Sequence, residues 1–222
     1  MASRLSQTKC KMPPKPIGVR SEYNPFAHLL SFNAERMHTT LMTPPPATLP
    51  ADTPQTIAEF YACWASLPRQ NLVPRLCDYL DHAPFALQPF VSIVDILSAD
   101  ESRVRLVGTG IADLLGRDET GKPIPSIYPE ATRALVRNVA WRAVGHRAGY
   151  LSTRIVRTKI GRALEAPSIS LPLINRPGAA PLIMTYAAFP ADALSIHADD
   201  QLHNTLDFKL MQWIDIGAGV PR

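Results

Sequence analysis

The first sustained rhythm of apolar and polar positions begins near Thr53. Ile57, Phe60, Tyr61 and Trp64 recur at i, i+3, i+4 and i+7, which is one apolar stripe along a helix. Pro54 suits a first helical turn, Thr56 and Glu59 have the spacing of a capping box, and Pro68 ends the run. So aromatic a stripe needs a surface to cover it. Two surfaces qualify, the chain's own domain and a second copy. The expectation taken forward is a homodimer contact through Ile57, Phe60, Tyr61 and Trp64.

Beyond a short helical run at Leu76 to Leu80, the period changes. PFVSIVDIL (89–97) and RVRLVG (103–108) are β-rich runs joined by the polar turn SADES, a hairpin signal. Ile111 to Leu115 reads as one helical turn stopped by Gly116, and a proline-broken stretch follows to Pro129. From Glu130 to Val144 the pattern is helical again, with Leu135, Val136, Val139, Ala140, Ala143 and Val144 on one side. YLSTRIVRT (150–158), LEAPSISLPLI (164–174) and PLIMTYAAF (181–189) then read as three strands, the last two joined by the turn residues NRPG. A final run, FKLMQWIDIG (208–217), has strand character. Strands grouped around a helical insert predict an α+β domain with an antiparallel sheet, not alternating βαβ units.

Composition sharpens the boundaries. Of the 222 residues, 46% are hydrophobic, enough for one well-buried domain with appendages. Residues 1–52 hold eight of the 22 prolines and no periodicity, so they read as a loosely attached tail. The division predicted is a tail at 1–52, a helical flank at 53–88, a core at 89–190 and a C-terminal extension at 191–222. The net charge of +4 lies wholly in the first 50 residues, with six basic side chains against two acidic; the remainder balances at 17 against 17. A core without basic excess argues against nucleic acid as a partner. Three cysteines in no metal spacing suit a reducing cytoplasm, and no apolar run is long enough to span a bilayer.

The glycines pose the sharpest chemical question. GRDETGKP (116–123) falls one residue short of a phosphate loop, because Pro123 stands where a hydroxyl should bind Mg²⁺. Pro123 and Pro125 also remove amides that would face a phosphate, and Asp118 and Glu119 would repel it. The upstream pair Gly108 and Gly110 opens a dinucleotide fingerprint that Asp113 breaks, with no βαβ unit around it. These glycines are expected to be turn residues with positive φ around short helices.

Several of these residues together form a known pattern. Trp64 with Leu67-Pro68, a strand ending in Asp95, RVRLVGT (103–109), GRD (116–118) and Thr120-Gly121 resemble the fifth PAS family, common in alphaproteobacteria. Glu165, Leu171-Pro172-Leu173 and the ending IDIGAGVP (214–221) fit the same likeness, which covers roughly residues 55–220. The resemblance implies a PAS-like fold: a five-stranded antiparallel sheet with a helical segment on one face, preceded here by the amphipathic helix. It implies a framework role for Trp64, Asp95, Arg105, Gly108, Thr109, Gly116, Gly121 and Glu165. Arg105 is expected to pair with Asp95 across the hairpin or with Glu165.

A PAS-like fold also implies a cavity between helical segment and sheet, whose contents depend on side chains. Tyr128, Trp141, His146 and Tyr186 are expected near it. No metal and no particular cofactor is expected. A haem would draw on His146, at the end of the long helix, where haem-binding PAS domains place their axial ligand. Cys63 and Cys77 precede the sheet and lack the setting of a flavin-reactive cysteine. Arg133, Arg137 and Trp141 share a helix face that is either solvated or a site for an anionic or aromatic small molecule. Arg154 and Arg157 resemble half of an R-x-x-x-R cyclic-dinucleotide motif, but the spacing is wrong and its D-x-S-x-x-G partner is absent. Asp199-Asp200 with His203 is read as solvating charge. No hydrolase, zincin, kinase or cyclase motif occurs, so the expected role is a non-catalytic sensor or adaptor. It would act through a small-molecule ligand, a signalling protein partner, or both.

Overall fold

The computed structural model describes residues 47–124, 128–176, 178–190 and 201–222. The tail up to residue 46 and the Asp199-Asp200 pair lie outside them. Helices α1 (Gln55–Ser66) and α2 (Leu76–His82) flank a two-stranded ribbon of β1 (Arg69–Gln70) and β2 (Val73–Pro74). A 3₁₀ turn at Gln88–Phe90 leads into the hairpin of β3 (Val91–Ile96) and β4 (Ser102–Val107). Helices α3 (Thr109–Leu115) and α4 (Glu130–His146) follow, and then β5 (Ala148–Thr158), β6 (Ala163–Leu173), β7 (Leu182–Ala187) and β8 (Leu202–Asp215).

The main sheet is antiparallel in the order β4-β3-β7-β6-β5-β8. The α+β class and the helical segment over one face are as expected, and the sheet has a sixth strand. That strand starts six residues before the expected run and pairs with β5 along almost its whole length. Part of the extension at 191–222 is therefore built into the sheet.

Both faces of the sheet are covered, which explains why all six residues of β7 are buried. In β6, Ile169, Leu171 and Leu173 point to the face carrying α1 and α2, and Ser168 and Ser170 point to the other. Ile57, Phe60, Tyr61 and Trp64 are buried on the first face, Phe60 and Trp64 completely. Phe60 stacks on Tyr186 at 5.1 Å between centroids and meets Tyr79 edge-on at 6.1 Å. The Trp64 Nε1–H donates to the Pro172 carbonyl at 3.1 Å, and the Arg69 guanidinium lies 4.8 Å from the indole centre. The stripe expected at a dimer contact is thus consumed inside the chain. Backbone bonds from Ile174 to Pro74 and from Leu76 to Ile174 fasten the helical flank to the end of β6, so a second copy is not needed to cover it.

Local capping differs from the expected box. Pro54 is the N-cap of α1 with no side-chain cap, and Glu59 instead accepts from the Gln55 amide at 3.1 Å. On the opposite face α4 buries Val136, Val139, Ala140 and Ala143, one residue set at helical period; Leu135 is turned outward, 44% exposed. The SADES turn is closed by Ser98, whose hydroxyl accepts from the amides of Asp100 and Glu101.

Candidate functional site

Between α3, α4 and the sheet lies a cavity of about 120 Å³. Its wall is mostly aliphatic: Val94, Ile96 and Ile183 rise from the central strands, and Val136 and Ala140 descend from α4. Leu202, Thr205 and Phe208 of β8 close one side, so the sixth strand is part of the enclosure.

Across the floor runs a polar row set by strand register. Ser92 pairs with Thr185, Thr185 with Ser170, and Ser170 with Tyr150, placing four hydroxyls on one line over β3, β7, β6 and β5. The Ser170 and Thr185 hydroxyls share a 2.7 Å hydrogen bond. Burial raises the Tyr150 pKa above the ordinary phenol value, against the hydrogen bond with Ser170 and the positive charge of Arg154. At neutral pH it is a neutral hydroxyl.

Arg154 is the chemically distinctive residue. It shares the inward phase of Tyr150 and Val156 on β5, an interior strand because β8 covers it. Its Nε–H donates to the Tyr128 hydroxyl at 2.7 Å, and Nη1 reaches the Ser168 hydroxyl at 3.4 Å. Among the described residues no carboxylate lies within ion-pairing distance of it. Burial disfavours its charge, but the surrounding phenols outweigh that and hold its pKa above the ordinary arginine value. Its hydrogen-bond partners are hydroxyls, which solvate the cation without pairing its charge.

The carboxylate of the described wall is Glu119, only 4% exposed. It is engaged by Arg117 and, at 3.0 Å, by Lys122. Burial works against its ionised form, and the hydrogen bonds from Arg117 and Lys122 win, leaving its pKa below the usual glutamate value.

The stretch that nearly spelled a phosphate loop has another use. Gly116 caps α3 in the left-handed region at φ 62°, the Asp118 carboxylate accepts from the Thr120 amide, and Gly121 turns the chain at φ 85°. The segment then runs beside the free edge of β4, with the Val104 amide donating to Lys122 and the Gly121 amide to Val104. It covers a sheet edge and delivers Glu119 to the cavity. Gly108 is not a positive-φ residue. It sits at φ −64°, where a Cβ would fall 2.6 Å from the Gln88 carbonyl oxygen and closer still to that of Pro89. Gly110 likewise lies against the Phe90 ring. Close packing on the 3₁₀ turn, not dihedral freedom, selects glycine at both positions.

Of the side chains expected near the cavity, Tyr128 lines it, packs edge-on to Phe208 and orients Arg154. Trp141 packs at the border of the α4 cluster without lining the cavity. His146 is exposed in the last turn of α4, so it is out of position for an axial haem ligand. Tyr186 is buried on the opposite face of the sheet, beneath Phe60. Arg105 pairs with Asp95 at 2.6 Å, while Glu165 is exposed on β6, with β7 and β3 between it and β4. Arg133 donates to the Tyr128 carbonyl at 2.9 Å and stiffens the entry to α4. In sequence Arg154 stood out only beside Arg157; its period-two phase with Tyr150 and Val156 was the one signal that could have placed it inward, and Ser92, Thr185 and Glu119 carried no comparable signal.

Compared with known families, residues 52–187, more than half of the chain, match the model described as PAS domain. No curated protein and no solved structure matches the chain. The matched region ends with β7, so β8 and the side of the cavity it closes lie beyond it.

Proposed function

The chain belongs to the PAS domain family, and from that premise we propose that it is a sensory or adaptor protein without catalysis of its own. It binds a small molecule in the cavity under α3 and α4 and passes the signal to a protein partner. The observation that supports this most is the cavity itself: an apolar chamber with a few convergent polar groups, the usual make-up of a small-molecule site. Its polar groups suit binding. Among the described residues the hydroxyls of Ser92, Thr185 and Tyr150 have no free base beside them, because Glu119 is engaged by two cations.

The outlet for the signal follows from the packing. Helices α3 and α4 form the lid and carry the exposed faces, so a ligand that shifts the lid changes the surface a partner meets. We place the protein in the cytoplasm, where a reduced Cys63 would persist. No described helix is long and apolar enough to cross a membrane.

Native mass spectrometry of the freshly purified full chain tests the reading. The expected result is a stoichiometric small-molecule adduct that disappears on denaturation, or one restored by incubation with cell extract metabolites. A chain that stays bare under both conditions would sink the sensory reading and leave a ligand-free scaffold.

A further inference from the structure

We propose that the cavity takes an amphipathic monocarboxylate, its single carboxylate seated on Arg154 and its hydrocarbon body against the aliphatic wall beneath α4. This rests on the ligand-binding reading above and names the ligand's class. Three features of the chamber select that chemistry.

The first is charge. The described lining holds two guanidinium groups and one carboxylate. Arg117 and Glu119 are already paired, and Arg117 is nearly half exposed, so solvent attends to it. Arg154 has only neutral hydroxyl partners. A partly buried guanidinium with no carboxylate partner among the described residues is costly to maintain, and an anion supplied from outside removes that cost.

The second is geometry. Tyr128 and Ser168 hold Arg154 by Nε and Nη1, while Nη2 makes no hydrogen bond among the described residues. The terminal edge of the fork is thereby presented in a fixed orientation, suited to a planar carboxylate. Tyr128 accepts from Arg154, so its own hydroxyl proton remains available as a second donor to the same anion.

The third is the wall. Opposite Arg154 the surface is Val94, Ile96, Val136, Ala140 and Ile183, where a second charge would be stranded. That excludes dicarboxylates, and a phosphate dianion would need a second free cation. At about 10–15 Å³ for each water-sized body, a cavity of about 120 Å³ admits a molecule on the order of ten non-hydrogen atoms.

Isothermal titration of the full chain with octanoate, 1-octanol and octylamine, which share one hydrocarbon body, isolates the head group. Octanoate is expected to bind one to one and at least about tenfold more tightly than octanol, the worth of a charge-assisted bond, with octylamine weakest. Arg154→Met should abolish the preference for octanoate over octanol, and Arg154→Lys should retain part of it. Should Arg154→Met fail to fold, the wild-type ranking decides alone. Octanol binding as well as octanoate, or octylamine binding best, would overturn the carboxylate assignment and leave the ligand-binding reading standing. If none of the three binds, the assignment is also overturned, and the native mass measurement decides the broader reading separately.

Discussion

Replacing Trp64 by alanine probes the most consequential placement in the fold. The indole is fully buried, donates its N–H to the Pro172 carbonyl at 3.1 Å, and has the Arg69 guanidinium 4.8 Å above it. Truncating a buried aromatic residue to alanine costs about 3–5 kcal/mol in lost contacts and residual cavity. The orphaned Pro172 carbonyl adds about 1 kcal/mol and the lost cation–π contact about 0.5 kcal/mol. Neighbouring terms overlap, so a loss of about 4 kcal/mol is expected. That is a large fraction of the ~5–15 kcal/mol that stabilises an ordinary domain. Urea unfolding followed by far-ultraviolet circular dichroism, at two widely separated protein concentrations, measures it. The midpoint should fall sharply and equally at both concentrations, because the residue is core and not a subunit contact. Trp64→Phe, which keeps most of the volume, should lose only about 1–2 kcal/mol. A loss under about 1 kcal/mol for the alanine variant, or one that vanishes at high concentration, would refute the assignment of this helix to the chain's own core.

Three further outcomes follow from single residues. Tyr79 is 2% exposed and its hydroxyl has no hydrogen-bond partner among the described residues, so Tyr79→Phe should leave thermal stability unchanged or raise it by up to about 1 kcal/mol; a clear loss would reveal a partner for that hydroxyl. The folded pKa of Glu119 lies below its unfolded value of about 4.3, so its stabilisation is complete above that pH and disappears as pH falls through the folded value. Glu119→Gln should cost about 1 kcal/mol at neutral pH, discounted for its half-exposed cations, and should flatten the acid limb of the stability profile; an unchanged acid limb would count against the pairing. Gly108→Ala should destabilise by about 1–3 kcal/mol, read by thermal denaturation, because the added methyl meets backbone carbonyls that cannot rotate away. Gly121→Ala, by contrast, meets no atom within 4 Å and is strained only through its φ of 85°, so a loss from Gly108→Ala no greater than that from Gly121→Ala would refute the packing role.

Much of the frame was readable along the chain. The helical spacing of Ile57, Phe60, Tyr61 and Trp64 and that of Val136, Val139, Ala140 and Ala143 marked the two helices that cover the sheet. The change to period two marked the strands, and Pro68, Gly116 and Pro129 marked the limits of helices. What covers each stripe was not readable, because periodicity identifies an apolar face and says nothing about its partner. For that reason α1 suggested a dimer and proved to be core. Tyr186 shows the same limit on a strand: in β7 every residue is buried, so the pattern loses the alternation that would assign Tyr186 to one face or the other.

The site was the least legible part. Trp141 and His146 are conspicuous residue types near the end of a long helix, but helical rotation and the helix end turn them away from the cavity. The residues that do shape the chamber are inconspicuous in sequence: Ser92 and Thr185 become a polar floor only through strand register, and Glu119 faces inward only because its segment runs beside β4. For this protein the order of helices and strands, the acidic and proline-broken loop that rejects phosphate, and the family likeness were set by local physics. Local chemistry suffices there, since dihedral preference, charge and period act between residues near in the chain. Which face each strand shows, that a strand beyond residue 200 seals the cavity, and that Arg154 lines it with no carboxylate partner among the described residues were decided only by tertiary structure. Each depends on pairing between segments far apart in sequence, which no local pattern encodes.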